Sequence, residues 1–384
     1  MFHRPSEAGT FKIIKRSQPK NNGAATGFRG PAMPAERWYE VKEVAAFERF
    51  ERGVERRPEL PRMLDAVRRL PPPVDPVKAS TAAGLPEKRG VSYFKWLISA
   101  GVRLTADYSH SAIGLSLLLV KYGRIVDRPP KREWVFKHVH TSQGSITIYR
   151  YPREAGHEFI VKEVSKVGGD VVTYRFEELF FPRPSFEYYW IGEFPSPPKA
   201  LKMLKDHPRF FIMDYPVERK PPNQAVLYIL SVLERDATVK DTDLARGRWR
   251  SRHPRRKILK HLQLMVERGI LRGTMVEIPY PTATRAMLVI RSGSRSRARR
   301  VAEQLSKYLY SLEVGVGYDT TFVTLALSEK HVPPLIRYLE SMLDSRCVDS
   351  IVFDTSNVVE VYSIPYMNYD PISRSWVVDA GRWR

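Results

Sequence analysis

The sequence predicts an α+β fold, a mixed α/β architecture built from two diverged copies of one unit. Each unit is three helices and a strand followed by a βαββαβ sandwich. Two observations carry this reading. One order of elements is clear in the C-terminal half, and the same order recurs roughly 170 residues upstream. A third bounds it: no run of eighteen apolar residues interrupts the 384-residue chain, and its single cysteine, Cys347, excludes an internal disulfide framework.

The C-terminal unit starts near Asn223. In NQAVLYILSVLERD, Val226, Leu227, Ile229, Leu230 and Leu233 fall along one side of a helix. Asp241 or Thr242 caps a short helix through DLARG that stops at Gly247, and Ser251 caps a third helix with Pro254 in its first turn. Ile258, Leu259, Leu262, Met265 and Val266 supply that helix's apolar stripe, Gly269 ends it, and Ile270 and Leu271 open a strand. This order is that of a winged helix-turn-helix. Its exposed side carries eight basic residues and no acidic one between positions 246 and 260: Arg246, Arg248, Arg250, Arg252, Arg255, Arg256, Lys257 and Lys260. Positive side chains at a helix N-terminus oppose its dipole, a cost that phosphates in a major groove offset. The same run also reads as a solvated charged face.

A strand (RAMLVIRSG), a helix (SRARRVAEQLSKYLYS), two strands around a tight turn (LEVGVGYD, TFVTLALS), a helix (VPPLIRYLESMLDS) and a closing strand (VDSIVFDT) follow. The order βαββαβ gives a ferredoxin-like antiparallel sheet with both helices on one face. Its other face needs a cover, which a dimer partner supplies, or the other unit of the same chain if the two form a pseudo-dimer.

A winged helix-turn-helix followed at once by this sandwich resembles the Lrp/AsnC (feast/famine) transcription regulators, here as a tandemly duplicated archaeal-type variant. Positions 224–270 are similar to the family's DNA-binding domain and 286–354 to its ligand-sensing and assembly domain. The most specific match is GVGYDTTFVTLAL, where Gly317, Tyr318 and Asp319 stand at the family's turn. The resemblance implies an amino-acid effector at that turn; a hairpin glycine beside a turn-capping aspartate is the alternative reading. RGRWRSRHPRR departs from the family's polar turn and Ser/Thr-rich helix start, which favours backbone attraction over base readout.

Upstream, PELPRMLDAVRRL, VDPVKASTAAGL and PEKRGVSYFKWLISAGVRL repeat the three helices and strand. IGLSLLLVKYG reads as a strand, PKREWVFKHVH as a helix, GSITIYRYP as a strand, GHEFIVKEVSKVG as a helix and DVVTYRFEEL as a strand. The counterpart of GVGYD is SQGSI, and the third helix offers only Lys88, Arg89 and Lys95. The expected organisation is a disordered basic arm (1–35), a diverged winged helix-turn-helix (36–108), a diverged sandwich (109–180), an aromatic and proline-rich connector (181–222), the second winged helix (223–280), the second sandwich (281–356) and an extended C-terminal packing segment (357–384).

A formal charge of +21 favours polyanionic partners, either nucleic acid or an anionic membrane surface, or suits a hot or salty cytoplasm or a ribosomal neighbour. The thirty prolines are thermophile-like. No phosphate-binding loop, dinucleotide fingerprint, HExxH motif or nucleophile elbow occurs, and the nine histidines are scattered; His138 and His140 look like a helix end or turn, and His253 and His261 are too far apart to share a ligand. The sequence therefore leads to a cytoplasmic, nucleoid-associated DNA-binding transcription regulator, with no catalytic residue, no metal and no cofactor. Double-stranded DNA is the expected partner, with an amino-acid effector, self-association through the sheets and no membrane. A weakly specific chromatin-like protein and an adaptor on RNA polymerase or the ribosome are the rival readings.

Overall fold

The structure, a computed structural model, describes residues 43–176, 178–180, 222–246, 255–279, 285–306, 311–326, 332–344 and 348–378. It is a mixed α/β architecture of several helices and antiparallel sheets. Helices α1 (Glu43–Glu55), α2 (Leu60–Arg69), α3 (Pro76–Ala82) and α4 (Glu87–Ser99) lead into strand β1 (Arg103–Tyr108). Asp75 caps α3 by accepting from the amides of Val77 and Lys78. Later in the chain α6 (Gln224–Leu233), α7 (Asp241–Arg246) and α8 (Arg255–Glu267) lead into β7 (Leu271–Glu277). Asn223 caps α6 through the amide of Val226. Strands β1 and β7 pair with each other along their length, so the two helical heads share one antiparallel ribbon.

The main sheet has nine described strands in the order β5-β2-β4-β3-β11-β8-β10-β9-β6. They are β2 (Leu115–Tyr122), β3 (Val135–Thr141), β4 (Gly144–Pro152), β5 (Val171–Phe176), β6 (Glu178–Phe180), β8 (Arg285–Arg291), β9 (Ser311–Val316), β10 (Thr320–Ala326) and β11 (Ser350–Val361). Helix α5 (Glu158–Ser165) lies between β4 and β5, α9 (Arg295–Leu305) between β8 and β9, and α10 (Val332–Asp344) between β10 and β11. The strands at the two ends, β5 and β6, are separated by one residue, so the sheet curls round until its edges meet. β11 makes the matching junction, pairing with β8 through Ser350–Ser356 and with β3 through Ser356–Val361. Full closure leaves no long free edge.

Three apolar clusters follow. Inside the curled sheet Leu117, Leu119, Phe136, Val139, Ile146 and Ile148 meet Phe176, Leu179, Met287, Val289 and Phe322. Outside it, residues of α1, α2 and α4 share a core with α9, α10 and β8, while α6 and α8 share one with β2, β4 and α5. Each group of helices is thus in one core with the half of the sheet that is remote from it in sequence. The open sheet face, expected to be covered by a partner copy or by the other unit, is covered within the chain.

The segment 131–141 is not the helix expected. It forms a short 3-10 turn (Arg132–Trp134) and then β3, the fourth strand in from one edge of the sheet, covered on both faces. Near-continuous burial erased the alternation that marks a strand. His138 and His140 consequently sit on one strand face, ring centroids 5.1 Å apart. No helix among the described residues is long and apolar enough to cross a membrane.

Gly317 marks the seam. A Cβ there would stand 2.4 Å from the Arg175 carbonyl oxygen of β5. Gly317→Ala is expected to lower stability by about 1–3 kcal/mol through overpacking of a backbone contact, read as a lower urea midpoint with unchanged far-ultraviolet circular dichroism. An unchanged midpoint means the seam is open in solution.

Candidate functional site

The most unusual chemistry lies where the β1–β7 ribbon meets one end of the curled sheet. β4 carries Arg150 opposite Leu117 of β2, which turns both side chains to the inner face. A register irregularity between Val135 and Lys137 turns Phe136 and Lys137 to that same face. Arg150 is fully buried, with its guanidinium carbon 3.8 Å from the Phe136 ring centroid and 6.0 Å from that of Tyr108. It pairs with Glu234, which follows α6. The Tyr108 hydroxyl donates to Glu234 Oε1 at 2.7 Å, and the amide of Ile364 donates to Oε2 at 3.0 Å. The C-terminal segment therefore closes one side of the site.

His110, in the turn after β1, completes it. The residue is 1% exposed, and its ring centroid is 4.8 Å from that of Tyr108 and 5.7 Å from that of Phe136. Its Nδ1 is 3.8 Å from Glu178 Oε1, beyond hydrogen-bond reach. Neither ring nitrogen, nor Arg150 Nε, has a hydrogen-bond partner among the described residues. Buried polar atoms are normally paired, because leaving one unsatisfied costs about 1–3 kcal/mol. Two neighbouring side chains with such atoms mark a place built to meet another polar group.

The surroundings set the charge. Burial pushes the His110 pKa below its ordinary 6.5, and the Arg150 charge adds to this against Glu178 and Glu234, so the free ring is neutral. Burial alone would raise Glu178, but the Arg272 charge and hydrogen bonds from the Ser111 hydroxyl and the His110 backbone amide hold its carboxyl well below the usual range. Arg272 on β7 also reaches Asp107 at 2.9 Å and the carbonyls of Tyr108 and Leu179. Deeper in the sheet Lys137 Nζ donates to Glu313 Oε2 at 2.5 Å; burial lowers its pKa more than this partner raises it. Cations and acids thus alternate along a dry interior, and His110 is the titratable group set at its edge.

The residues chosen from the sequence lie elsewhere. On α8 Arg255, Arg256, Lys257 and Lys260 are exposed, with Arg255 Nε donating to Asp241 Oδ2 at 2.6 Å. Arg246 ends α7, its side chain outside the description, and Arg248, Arg250 and Arg252 lie outside the described residues, as do Ser251, His253 and Cys347. On α4 Lys88 and Lys95 are exposed, while Arg89 is tied to Glu59 at 2.9 Å and to the Tyr93 hydroxyl at 3.1 Å. Gly317, Tyr318 and Asp319 form the β9–β10 turn, with the Gly317 amide on the Thr320 carbonyl, Tyr318 72% exposed and Asp319 accepting from the Thr320 hydroxyl. His138 is a satisfied core histidine, bonded to Thr147 Oγ1 and the Val126 carbonyl. Among the described residues no three His, Cys, Asp or Glu side chains gather as a metal site.

This assembly of ribbon, curled sheet and helical heads has a counterpart among solved structures. The fold is similar to that of a siroheme decarboxylase. A crystal structure of the siroheme decarboxylase NirDL superposes with a TM-score of 0.51 at 12% identity, over 80% of this chain and 96% of that one. The same enzyme in co-complex with an iron-uroporphyrin III analogue gives 0.50 at 13% identity, with the same coverage. No family model matches the sequence, and no curated protein matches it.

These findings overturn the Lrp/AsnC regulator reading. The element order on which it rested is shared, across nearly the whole of NirDL, with an enzyme, and a fold does not fix a function. The expectations of a DNA-binding, non-enzymatic regulator fall with it, as do its partners: double-stranded DNA, an amino-acid effector, self-association through the sheets, RNA polymerase or the ribosome. Physically, β1 and β7, the strands expected to serve as wings, pair with each other along their length. The cluster around His110 was missed because its members are scattered over positions 107–313 with no motif spacing. The sole sequence signal was a set of charged residues inside otherwise apolar strands, Arg150 in SITIYRYP and Lys137 in WVFKHVH.

His110 makes acid stability the readout. The unfolded ring protonates at its ordinary value while the folded one resists, so the unfolded state binds more protons and stability falls as pH drops through 6.5. Glu178 acts lower, its contribution present above 4.5 and lost as pH falls toward about 2. His110→Asn is expected to flatten the urea-stability curve where pH falls below 6.5; a slope as steep as the parent's contradicts the buried neutral ring.

Proposed function

We propose that this chain is an enzyme acting on a carboxylate-bearing tetrapyrrole, with a substituent carboxylate received between His110 and Arg150, and that it removes that carboxylate as CO2. The observation that carries the reading is the pair of buried side chains with unpartnered nitrogens, one neutral imidazole and one guanidinium, within a fold similar to that of a siroheme decarboxylase.

The residues suit the chemistry. Arg150, held by Glu234 and stacked on Phe136, keeps its Nε–H for a further acceptor, so it positions the carboxylate. A negative charge arriving beside His110 favours the imidazolium, so the ring takes up a proton as the substrate binds. Walls made by Tyr108 and Phe136 exclude water, which favours the charge-dispersed transition state of carboxylate loss over the compact anion. When the C–C bond breaks, its electron pair stays on the substrate and the proton from His110 joins that pair. Carboxylate and proton become a C–H bond and CO2, with no net oxidation.

We also infer that the architecture is an internal duplication, two winged helix-turn-helix heads each with a ferredoxin-like sandwich, at the boundaries expected from the sequence. The strand orders β5-β2-β4-β3 and β11-β8-β10-β9 support this by their correspondence.

Iron uroporphyrin III tests the reading. Purified protein is expected to shift the ligand's Soret band on binding and, on incubation, to yield products lighter by CO2 in mass spectrometry. His110→Asn is expected to bind within about threefold of the parent and to lose at least about a hundredfold in CO2 release, the usual scale for a proton-transfer group. Absence of a Soret shift overturns the tetrapyrrole reading; binding without CO2 loss by the parent overturns the catalytic one.

A further inference from the structure

Outside the His110 cluster, α1 and α4 enclose a groove of about 400 Å³ lined by Glu48, Arg49, Arg52, Gly53, Arg56, Arg57 and Trp96. Four guanidiniums face a single carboxylate there. Arg49, Arg52 and Arg56 are three and four residues apart, so they share one side of α1. Arg52 reaches Glu48 at 3.4 Å, both side chains well exposed, which is worth little. Arg49 and Arg56 make no ion pair among the described residues.

The floor is built, which separates the groove from an ordinary charged face. The Trp96 ring abuts α1 at Gly53, where a Cβ would lie 1.9 Å from Cζ2, so only glycine admits the indole. Phe50 stacks beside Trp96 with centroids 6.3 Å apart, and Arg57 lies 4.6 Å over the indole while donating to the Gly53 carbonyl at 3.4 Å. A rigid aromatic floor thus fixes the α1–α4 angle and holds one guanidinium in place beside three others. Like charges at helical spacing repel and weaken the helix by a few tenths of a kcal/mol per pair. A bound anion with several charges removes that repulsion and gains forked, charge-assisted hydrogen bonds.

We propose that the α1–α4 groove is a binding site for a small polyanion with clustered phosphate or carboxylate groups, separate from the His110 site and independent of the tetrapyrrole reading. Arg49, Arg52 and Arg56 contact the anion, Arg57 is positioned by Trp96, and Gly53 and Trp96 set the shape.

Calorimetric titration of the full chain with inorganic tripolyphosphate and with citrate, at near-physiological salt, tests this. At least one probe is expected to bind at one site per chain; which one identifies phosphate or carboxylate as the source. The triple variant Arg49→Gln, Arg52→Gln, Arg56→Gln is expected to lose at least about tenfold in affinity. A control with the same charge change on α8, Arg256→Gln, Lys257→Gln, Lys260→Gln, is expected to stay within about twofold, since general attraction is screened. Both variants change exposed side chains, and matching circular dichroism spectra verify their folds. Binding of neither probe, or equal loss in the two variants, overturns the proposal.

Discussion

Closure of the main sheet is the constraint on which the rest of the molecule depends. Two chain segments carry it: β5 and β6, which run from a pairing with β2 to one with β9, and β11, which runs from β8 to β3. Because each segment belongs to both halves, neither half can slide or separate without breaking a ladder. The close approach of Gly317 to Arg175 shows how tightly the seam is drawn. Closure turns one sheet face inward along the whole chain and explains why Leu117, Phe176, Met287 and Phe322, distant in sequence, form one cluster.

An inward face sealed at its sides leaves its ends as the places where polar chemistry can enter. At one end the β1–β7 ribbon brings Asp107, Tyr108 and Arg272 against Arg150, Glu178 and Glu234. Buried ion pairs add little net stability, because desolvation of both charges consumes most of the attraction, whereas removing one partner is costly. Such a network is therefore better understood as holding positions than as holding the fold. What it positions is His110, whose neutral ring and unpartnered nitrogens depend on burial and on the Arg150 charge. The packing of each group of helices against the remote half of the sheet serves the same end, since Glu234 arrives at the end of α6 and His110 from the turn after β1.

Much of the element order was legible in the sequence, and most of the chemistry was not. Helices such as α6 and α8 announce themselves through apolar periodicity, and Asn223 marks its cap. Strand β3 did not, because a strand buried on both faces loses alternation, and the prolines and charges of PKREW suggested a helix start. The run of basic residues drew attention to α8, where solvated charge is legible, while the charges that meet around the end of the sheet are single residues in β1, β3, β4, β6, β7 and β9 and in the turns after β1 and α6. Their proximity is produced by register, Arg150 against Leu117 and Lys137 against Ile148, which no local pattern encodes. The family resemblance failed for a related reason: it rested on element order, which describes a scaffold rather than the groups at its ends.

The central claim is that His110 is a buried neutral imidazole held ready for a substrate carboxylate. Its protonation can be read directly by nitrogen NMR of protein labelled at histidine, assigned with His110→Asn and titrated with metal-free uroporphyrin III. The account predicts a His110 signal that is more neutral at pH 6.5 than that of an exposed imidazole in the free protein and becomes imidazolium when the ligand binds. A ring that titrates near 6.5 and ignores the ligand would contradict it.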